Sequence, residues 1–128
     1  IFEGPDWGLP IEDDLVNIKW PRSTNRLAKG ILAVINTAGA KDFASGRPLG
    51  DGSNFEREYH HIFPKRYCLK EKFGDPDLIL NCAFIEKKTN RIIGSKPPAQ
   101  YYENREKYFD DASEINERFE SQLIPVPE

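Results

Sequence analysis

The segment FEREYHHIF, residues 55–63, constrains the fold of this chain more than any other stretch. Its side chains alternate loosely between two faces and it runs into Pro64, a pattern that predicts a β-strand ending near that proline. The segment contains His60 and His61, the only two histidines in the chain. Because neighbouring strand residues point to opposite faces, this pair cannot readily chelate one metal ion.

The sequence after this strand predicts a second strand followed by a short helix. LILNCAFIEKK, residues 78–88, has the apolar content of a strand but is interrupted by Asn81. TNRIIG contains a helix start at Thr89 and Asn90 and a stop at Gly94. Unusual polar residues therefore occur at the end of one strand, within the second strand segment and at the helix start. That order suggests a site.

Helices are predicted on both sides of this central part. Upstream, the apolar spacing in RLAKGILAVI predicts a helix over about 24–38, with Ser23 or Thr24 as N-cap and Gly39 as the stop. A glycine-rich loop over 44–54 leads from this helix to the first strand.

Downstream, a helix is predicted to begin at Pro98, because proline suits the first helical position. DASEINERFESQL predicts a last helix in which Ile115, Phe119 and Leu123 share one face.

The 128 residues are expected to form one domain, 1–128. Its parts are an irregular N-terminal segment lying across the domain (1–22), a helix and loop (23–56), the central strands and helix (57–96) and C-terminal helices (97–128). The chain neither begins with Met nor contains one, so we expect it to be a piece of a longer protein.

Several classes of protein are excluded by the sequence. It has no apolar run that could span a membrane, and its N-terminus IFEGPDWG lacks the features of a signal peptide, so a cytoplasmic location is expected. Cys68 and Cys82 form no C-x-x-C pair, which argues against a zinc ribbon or a disulfide framework. Both are expected to be ordinary buried thiols.

The net charge of −3 is unevenly distributed. The segment from Arg57 to Lys107 contains eleven Lys or Arg residues and seven Asp or Glu residues. The rest of the chain contains seven basic and fourteen acidic residues. The basic part contains the histidines, where a phosphate would have to bind. A mixed run of this kind is also typical of a solvated surface, so charge alone does not decide the function.

The segments EYHHIFPKRY, LILNCAFIEKKTNR and IGSKPPAQYY resemble the HNH endonucleases, in which a hairpin and a helix hold one divalent cation in a ββα-metal fold. In detail they look most similar to the C-terminal nuclease domain of GmrSD-like modification-dependent restriction and phage-defence proteins. The resemblance covers about 57–102. It implies an α+β domain with a ββα-metal (HNH) core embedded in additional helices, and metal-dependent hydrolysis of phosphodiester bonds in double-stranded DNA.

The resemblance implies a role for each unusual polar residue. His60 would be a metal ligand, and His61 would be the general base, since an ordinary histidine is mostly neutral at cellular pH. Asn81 would tie the loop that holds the base, Asn90 would be the second protein ligand of the metal, and Arg91 would point at the scissile phosphate or leaving group. The residues expected to contact flanking phosphates are Lys65, Arg66, Lys87, Lys88 and Lys96.

One imidazole and one amide oxygen favour Mg²⁺ or Mn²⁺, with Zn²⁺ or Ni²⁺ also possible through His60. The third position of the motif is often His and here is Asn90, which implies weaker metal binding. The implied partners are double-stranded DNA and an N-terminal nucleotide-hydrolysing regulatory domain outside this chain.

Other interpretations remain open. The chain could be a catalytically inert nucleic-acid or partner-binding module on the same fold, or a nuclease acting on RNA or another phosphodiester. Asn90 could belong to a helix cap beside Thr89, Arg91 could be an ordinary surface residue, and each lysine taken singly is more typical of a solvated face.

Overall fold

A computed structural model describes residues 16–22, 25–50 and 56–126. The strands are β1 (Arg57–His61) and β2 (Cys82–Glu86). The helices are α1 (Arg26–Thr37), α2 (Lys65–Glu71), α3 (Lys87–Ile93), α4 (Pro98–Glu103), α5 (Arg105–Tyr108) and α6 (Ile115–Ser121), with 3₁₀ turns at Ile79–Asn81 and Ala112–Glu114. The chain is therefore α+β, with a small antiparallel sheet among helices. In these three ranges no helix has the length and apolar character needed to cross a membrane.

β1 and β2 pair antiparallel, from Arg57 opposite Glu86 to His61 opposite Cys82. A strand that carries both histidines at its end is thus confirmed, although it ends at His61 rather than next to Pro64. The predicted first residue of the strand, Phe55, lies outside the described residues.

Two hydrophobic clusters pack against the hairpin. Alternate residues of β2 face different clusters, since Ala83 and Ile85 belong to the larger one and Cys82 to the smaller one. The larger cluster comprises Phe43, Ala44, Ile62, Ala83, Ile85, Ile93, Tyr101, Phe109, Ile115 and Phe119. The smaller comprises Ile18, Ala28, Leu32, Ile79 and Cys82. As predicted, both cysteines are buried and unpaired.

The N-terminal part that is described, residues 16–22, lies against the domain. Ile18 is buried in the smaller cluster, and Lys19 forms an isolated bridge with Leu78. Residues 1–15 of the predicted irregular segment 1–22 lie outside the described part of the chain.

The predicted helix over about 24–38 is observed as Arg26–Thr37. Its N-cap is Asn25, whose side chain accepts a hydrogen bond from a first-turn amide at 3.0 Å. The expectation of Ser23 or Thr24 at that position was wrong because Asn25, closer to the helix, satisfies the orphan amide. Ser23 and Thr24 themselves lie outside the described residues.

α3 starts earlier than predicted. It begins at Lys87, directly after β2, and not at Thr89, so Asn90 lies one turn into the helix. Thr89 does not act as the cap because its hydroxyl donates to Asp42 at 2.6 Å. The helix does end at Gly94, which has φ +57, a conformation that favours glycine.

Asp42 ties the loop after α1 to the junction of β2 and α3. Its carboxylate is fully buried and accepts bonds from the backbone N–H of Glu86 at 2.8 Å and the hydroxyl of Thr89 at 2.6 Å. Two backbone amides of its own loop donate to it at 3.0 and 2.9 Å. Because Asn90 follows Thr89, this network helps to fix Asn90 against the hairpin.

The C-terminal helices follow the prediction except at the end. α4 begins at Pro98, and Ile115 and Phe119 of α6 are buried as expected. The prediction for Leu123 was wrong: it is 76% exposed because α6 ends at Ser121 and the backbone of Leu123 is left-handed, with φ +60.

Candidate active site

β1 and α3 bring His60 and Asn90 into contact. His60 is the penultimate residue of β1, and Asn90 lies thirty residues later on the side of α3 that faces the hairpin. The ring Nδ1 of His60 is 2.8 Å from the side-chain Oδ1 of Asn90. The two residues expected to hold a metal are thus neighbours in the fold.

Glu58 orients the amide of Asn90. The Nδ2 of Asn90 donates to Oε2 of Glu58 at 2.6 Å, and since an ionised carboxylate only accepts, the amide oxygen must face His60. Glu58 precedes His60 by two residues and so lies on the same face of β1. The sequence analysis missed Glu58, although this spacing of two was a usable signal.

The surroundings of His60 favour a neutral ring. Burial is the main cause that lowers the pKa of His60, and the charge of the neighbouring His61 lowers it further. The hydrogen bond with Asn90 acts in the opposite direction and raises the pKa. Because Oδ1 of Asn90 only accepts, Nδ1 of the metal-free ring carries the proton. Nε2 is buried with no hydrogen-bond partner in the described ranges. A neutral imidazole is the form that can bind a metal.

A divalent cation held by His60 and Asn90 would replace the hydrogen bond between them. Nδ1 and Oδ1 lie 2.8 Å apart as donor and acceptor, so Nδ1 would have to lose its proton before the two atoms could share an ion. Among the residues described there is no group of three or more His, Cys, Asp or Glu that could hold a metal ion. With two protein donors, most of the coordination shell would be left to water and substrate oxygens.

His61 is held on the other side of the strand. Its Nε2 lies 2.9 Å from Oδ1 of Asp77, and its ring stacks on the indole of Trp20 with centroids 3.8 Å apart and planes 10° apart. The hydrogen bond to His61 is the main reason that the pKa of Asp77 is below its usual value, and Lys65 adds to it. Sequence reasoning missed Asp77 and Trp20, because nothing local in DPD or IKWP indicates a histidine partner.

Asn81 makes the loop-tying bonds that the motif implies. Its Oδ1 accepts from the backbone N–H of Phe63 at 2.7 Å, and its Nδ2 donates to the carbonyls of Phe63 and Pro76, both at 2.9 Å. One side chain thereby joins the segment after His61 to the segment that carries Asp77. Asn81 therefore helps to hold His61 and Asp77 next to each other.

The two histidines and Asn90 line one shallow cleft of about 190 Å³. The other residues that line it are Tyr59, Pro64, Lys65, Gly94 and Ser95. Of the five residues predicted to contact phosphates, Lys65 lines this cleft. Its Nζ is 3.3 Å from Oδ1 of Asp77 and its side chain is about half exposed.

Arg91 does not line this cleft. It lies on the exposed side of α3, where its charge acts on the carboxylate of Glu56. Lys87 pairs with the same carboxylate at 2.9 Å. The geometry thus separates these two cations from His60 and Asn90.

The remaining predicted phosphate contacts are spread around the site. Lys96 is used internally, since its Nζ donates to the carbonyls of Ile92 and Ile93 at 3.1 and 3.3 Å, at the end of α3. Arg66 on α2 and Lys88 on α3 are exposed.

Comparison of this chain with protein-family models, with curated proteins and with solved structures finds no match. The strongest observation is the shared cleft in which a buried histidine meets an oriented amide beside a second, separately anchored histidine.

Proposed function

We propose that this chain is an HNH-type, metal-dependent endonuclease domain, in which β1, β2 and α3 form a ββα-metal core. The observation that carries the proposal is the 2.8 Å approach of His60 Nδ1 to Asn90 Oδ1, in the cleft that His61 also lines. A buried structural histidine also needs a hydrogen-bond partner, so the feature that favours a catalytic site is the second histidine in the same cleft, beside the Asn90 amide that Glu58 orients. Together they match the needs of phosphodiester hydrolysis.

His60 and Asn90 would hold the cation, with Mg²⁺ or Mn²⁺ the first candidates and Zn²⁺ or Ni²⁺ also compatible with the imidazole. When bound, such an ion supplies stabilisation of negative charge on the phosphate and the leaving oxygen. Glu58 keeps the amide oxygen of Asn90 turned toward the ion site, because it occupies the amide nitrogen.

His61 is the general base of the proposed reaction. It accepts a proton from water as the water oxygen forms a bond to phosphorus, and the bond from phosphorus to the leaving oxygen breaks. The leaving oxygen then takes a proton from solvent. Trp20 and Asp77 restrict the ring of His61, and Asn81 holds the two segments beside it.

Double-stranded DNA is the proposed substrate, and restriction or phage defence the proposed setting, on the strength of the HNH resemblance. Lys65 in the cleft and the exposed Arg66 and Lys88 near it could contact phosphates without reading sequence. Arg91, on the outer side of α3, is better placed to contact a flanking phosphate than the scissile one. Control by an N-terminal nucleotide-hydrolysing domain is part of the same proposal.

The proposal is tested by incubating the protein in low salt with supercoiled plasmid, single-stranded DNA and RNA. Each substrate is given Mg²⁺, Mn²⁺, Zn²⁺, Ni²⁺ or EDTA, and a His60→Ala variant serves as the control. We expect nicking of the plasmid that needs a metal and His60. Preferential digestion of RNA would replace the DNA assignment, and binding of nucleic acid without turnover in any metal would identify an inert module.

A further inference from the structure

We infer that Asp77 is a positioning residue for His61: its carboxylate holds the Nε2 proton, so that Nδ1 is the ring nitrogen that takes the proton from water. The inference rests on the proposed role of His61 as general base and adds to it a residue and a specific atom. It also assigns Trp20 the role of holding the plane of the ring.

The contact between Asp77 and His61 defines the tautomer of His61. Nε2 lies 2.9 Å from Oδ1 of Asp77, and an ionised carboxylate can only accept a hydrogen bond. The Nε2 atom must therefore be the donor, and in the neutral ring Nδ1 keeps the lone pair. A base, an orienting carboxylate and a fixed tautomer are the arrangement by which many hydrolases direct a histidine at its proton donor.

Trp20 contacts both members of the pair. Its indole covers the His61 ring in a near-parallel stack with centroids 3.8 Å apart. Its backbone N–H donates to the carbonyl of Asp77 at 2.8 Å. The same residue thus fixes the ring plane of the histidine and the backbone of the carboxylate that binds it.

The loop that carries Asp77 is held from two further directions. The backbone N–H of Asp77 donates to Oδ1 of Asp75 at 2.9 Å, and the carbonyl of Pro76 accepts from Asn81 at 2.9 Å. A carboxylate anchored in this way is presented to the ring at a defined place. A surface ion pair between flexible side chains has no such support.

In the part of the chain that the structure describes, three positively charged or protonatable groups face the carboxylate of Asp77. They are His61 at 2.9 Å, Lys65 at 3.3 Å and Arg22 at 3.7 Å. The hydrogen bond to His61, and after it Lys65, lower the pKa of Asp77, which favours the ionised carboxylate that accepts from Nε2–H. When Nδ1 takes a proton from water, the new positive charge on the ring faces this carboxylate, and the proton is later released from Nδ1 to solvent.

The experiment combines a spectroscopic measurement with kinetics. Long-range ¹H–¹⁵N correlation spectra of the metal-free protein report which nitrogen of each ring is protonated. The two histidines are told apart with a His60→Gln variant. We expect neutral His61 in the wild type to be protonated at Nε2, and its hydrogen-bonded Nε2 proton to be lost from the spectrum in Asp77→Ala.

The kinetic part uses a labelled DNA duplex. For Asp77→Ala we expect kcat to fall about 100-fold, the scale of a misdirected general base, with KM changed less than about threefold. Asp77→Asn, which keeps the shape and an acceptor oxygen, should retain more activity than Asp77→Ala. If Asp77→Ala does not fold, the kinetics of Asp77→Asn still test the role of the carboxylate. The exposed Asp110→Ala is the charge-matched control and should behave as wild type.

The outcomes separate this inference from the proposed function. Wild-type protein that cleaves DNA but has His61 protonated at Nδ1, or keeps its kcat in both Asp77 variants, would overturn the inference alone. Wild-type protein with the expected tautomer and no cleavage of any nucleic acid would overturn the proposed function, and the role of Asp77 with it.

Discussion

Replacing Asn81 by alanine should destabilise the domain more than its partial exposure suggests. The side chain makes three hydrogen bonds of 2.7–2.9 Å that join the segment after β1 to the segment before β2. Each such bond contributes about 1 kcal/mol net, and the abandoned amide and carbonyls lose their partners as well. We expect the free energy of unfolding to fall by about 3 kcal/mol, a large share of the roughly 5–15 kcal/mol typical of a domain.

Urea unfolding followed by tryptophan fluorescence measures this change. With a slope of about 1–3 kcal/mol/M, the midpoint should fall by about 1–3 M without a change in slope. Asn81→Asp tests the two bonds that the amide nitrogen donates. The aspartate keeps an oxygen that accepts from Phe63 N–H, but it places a second oxygen against the carbonyls of Phe63 and Pro76. Its loss of stability at neutral pH should be at least as large.

The matched control is Asn116→Ala. Asn116 is exposed and its Oδ1 accepts a single bond, from the hydroxyl of Tyr102 at 2.7 Å. Its replacement should change the free energy of unfolding by less than about 1 kcal/mol. Equal midpoints for Asn81→Ala and Asn116→Ala would refute the loop-tying role.

Three further predictions concern the surroundings of the cleft. Burial raises the pKa of the Cys82 thiol to about 12, so at pH 8 its alkylation in the folded protein should be about a thousandfold slower than in urea and should rise with pH; equal rates would contradict the burial. Asn90→Ala should abolish Mn²⁺ binding measured by calorimetry, while Glu58→Gln should weaken it about tenfold; unchanged affinity in both would remove the metal site from this cleft. Lys65→Ala should slow DNA cleavage more than Arg91→Ala. If Arg91→Ala has the larger effect, Arg91 rather than Lys65 contacts the scissile phosphate.

Local patterns in the sequence located the elements that local forces define. Alternation in REYHH and the glycine at position 94 mark a strand and a helix end because side-chain direction and left-handed backbone are properties of single residues and their neighbours. The start of α3 was predicted wrongly because it depends on a contact between residues far apart in the sequence. The local cap signal at Thr89 was overridden by a buried bond to Asp42, forty-seven residues away.

The partners of the site residues could not be predicted from local patterns. His61 meets Asp77 across sixteen residues and Asn90 meets Glu58 across thirty-two, and those contacts depend on how β1, β2 and α3 pack. The HNH resemblance supplied the candidate residues His60, His61, Asn81 and Asn90, but not the side chains that orient them. The role of Arg91 stays a prediction, since its side chain is exposed on α3 and does not line the cleft.

The most direct test of the nuclease proposal is the rate of supercoiled-plasmid nicking, in low salt with Mg²⁺ or Mn²⁺, by the wild type and by His61→Ala. Circular dichroism establishes that both proteins are folded. The proposal predicts metal-dependent nicking by the wild type and a rate at least about 100-fold lower for the variant. Equal rates for the two proteins, or nicking that persists in EDTA, would contradict a metal-dependent reaction with His61 as its base.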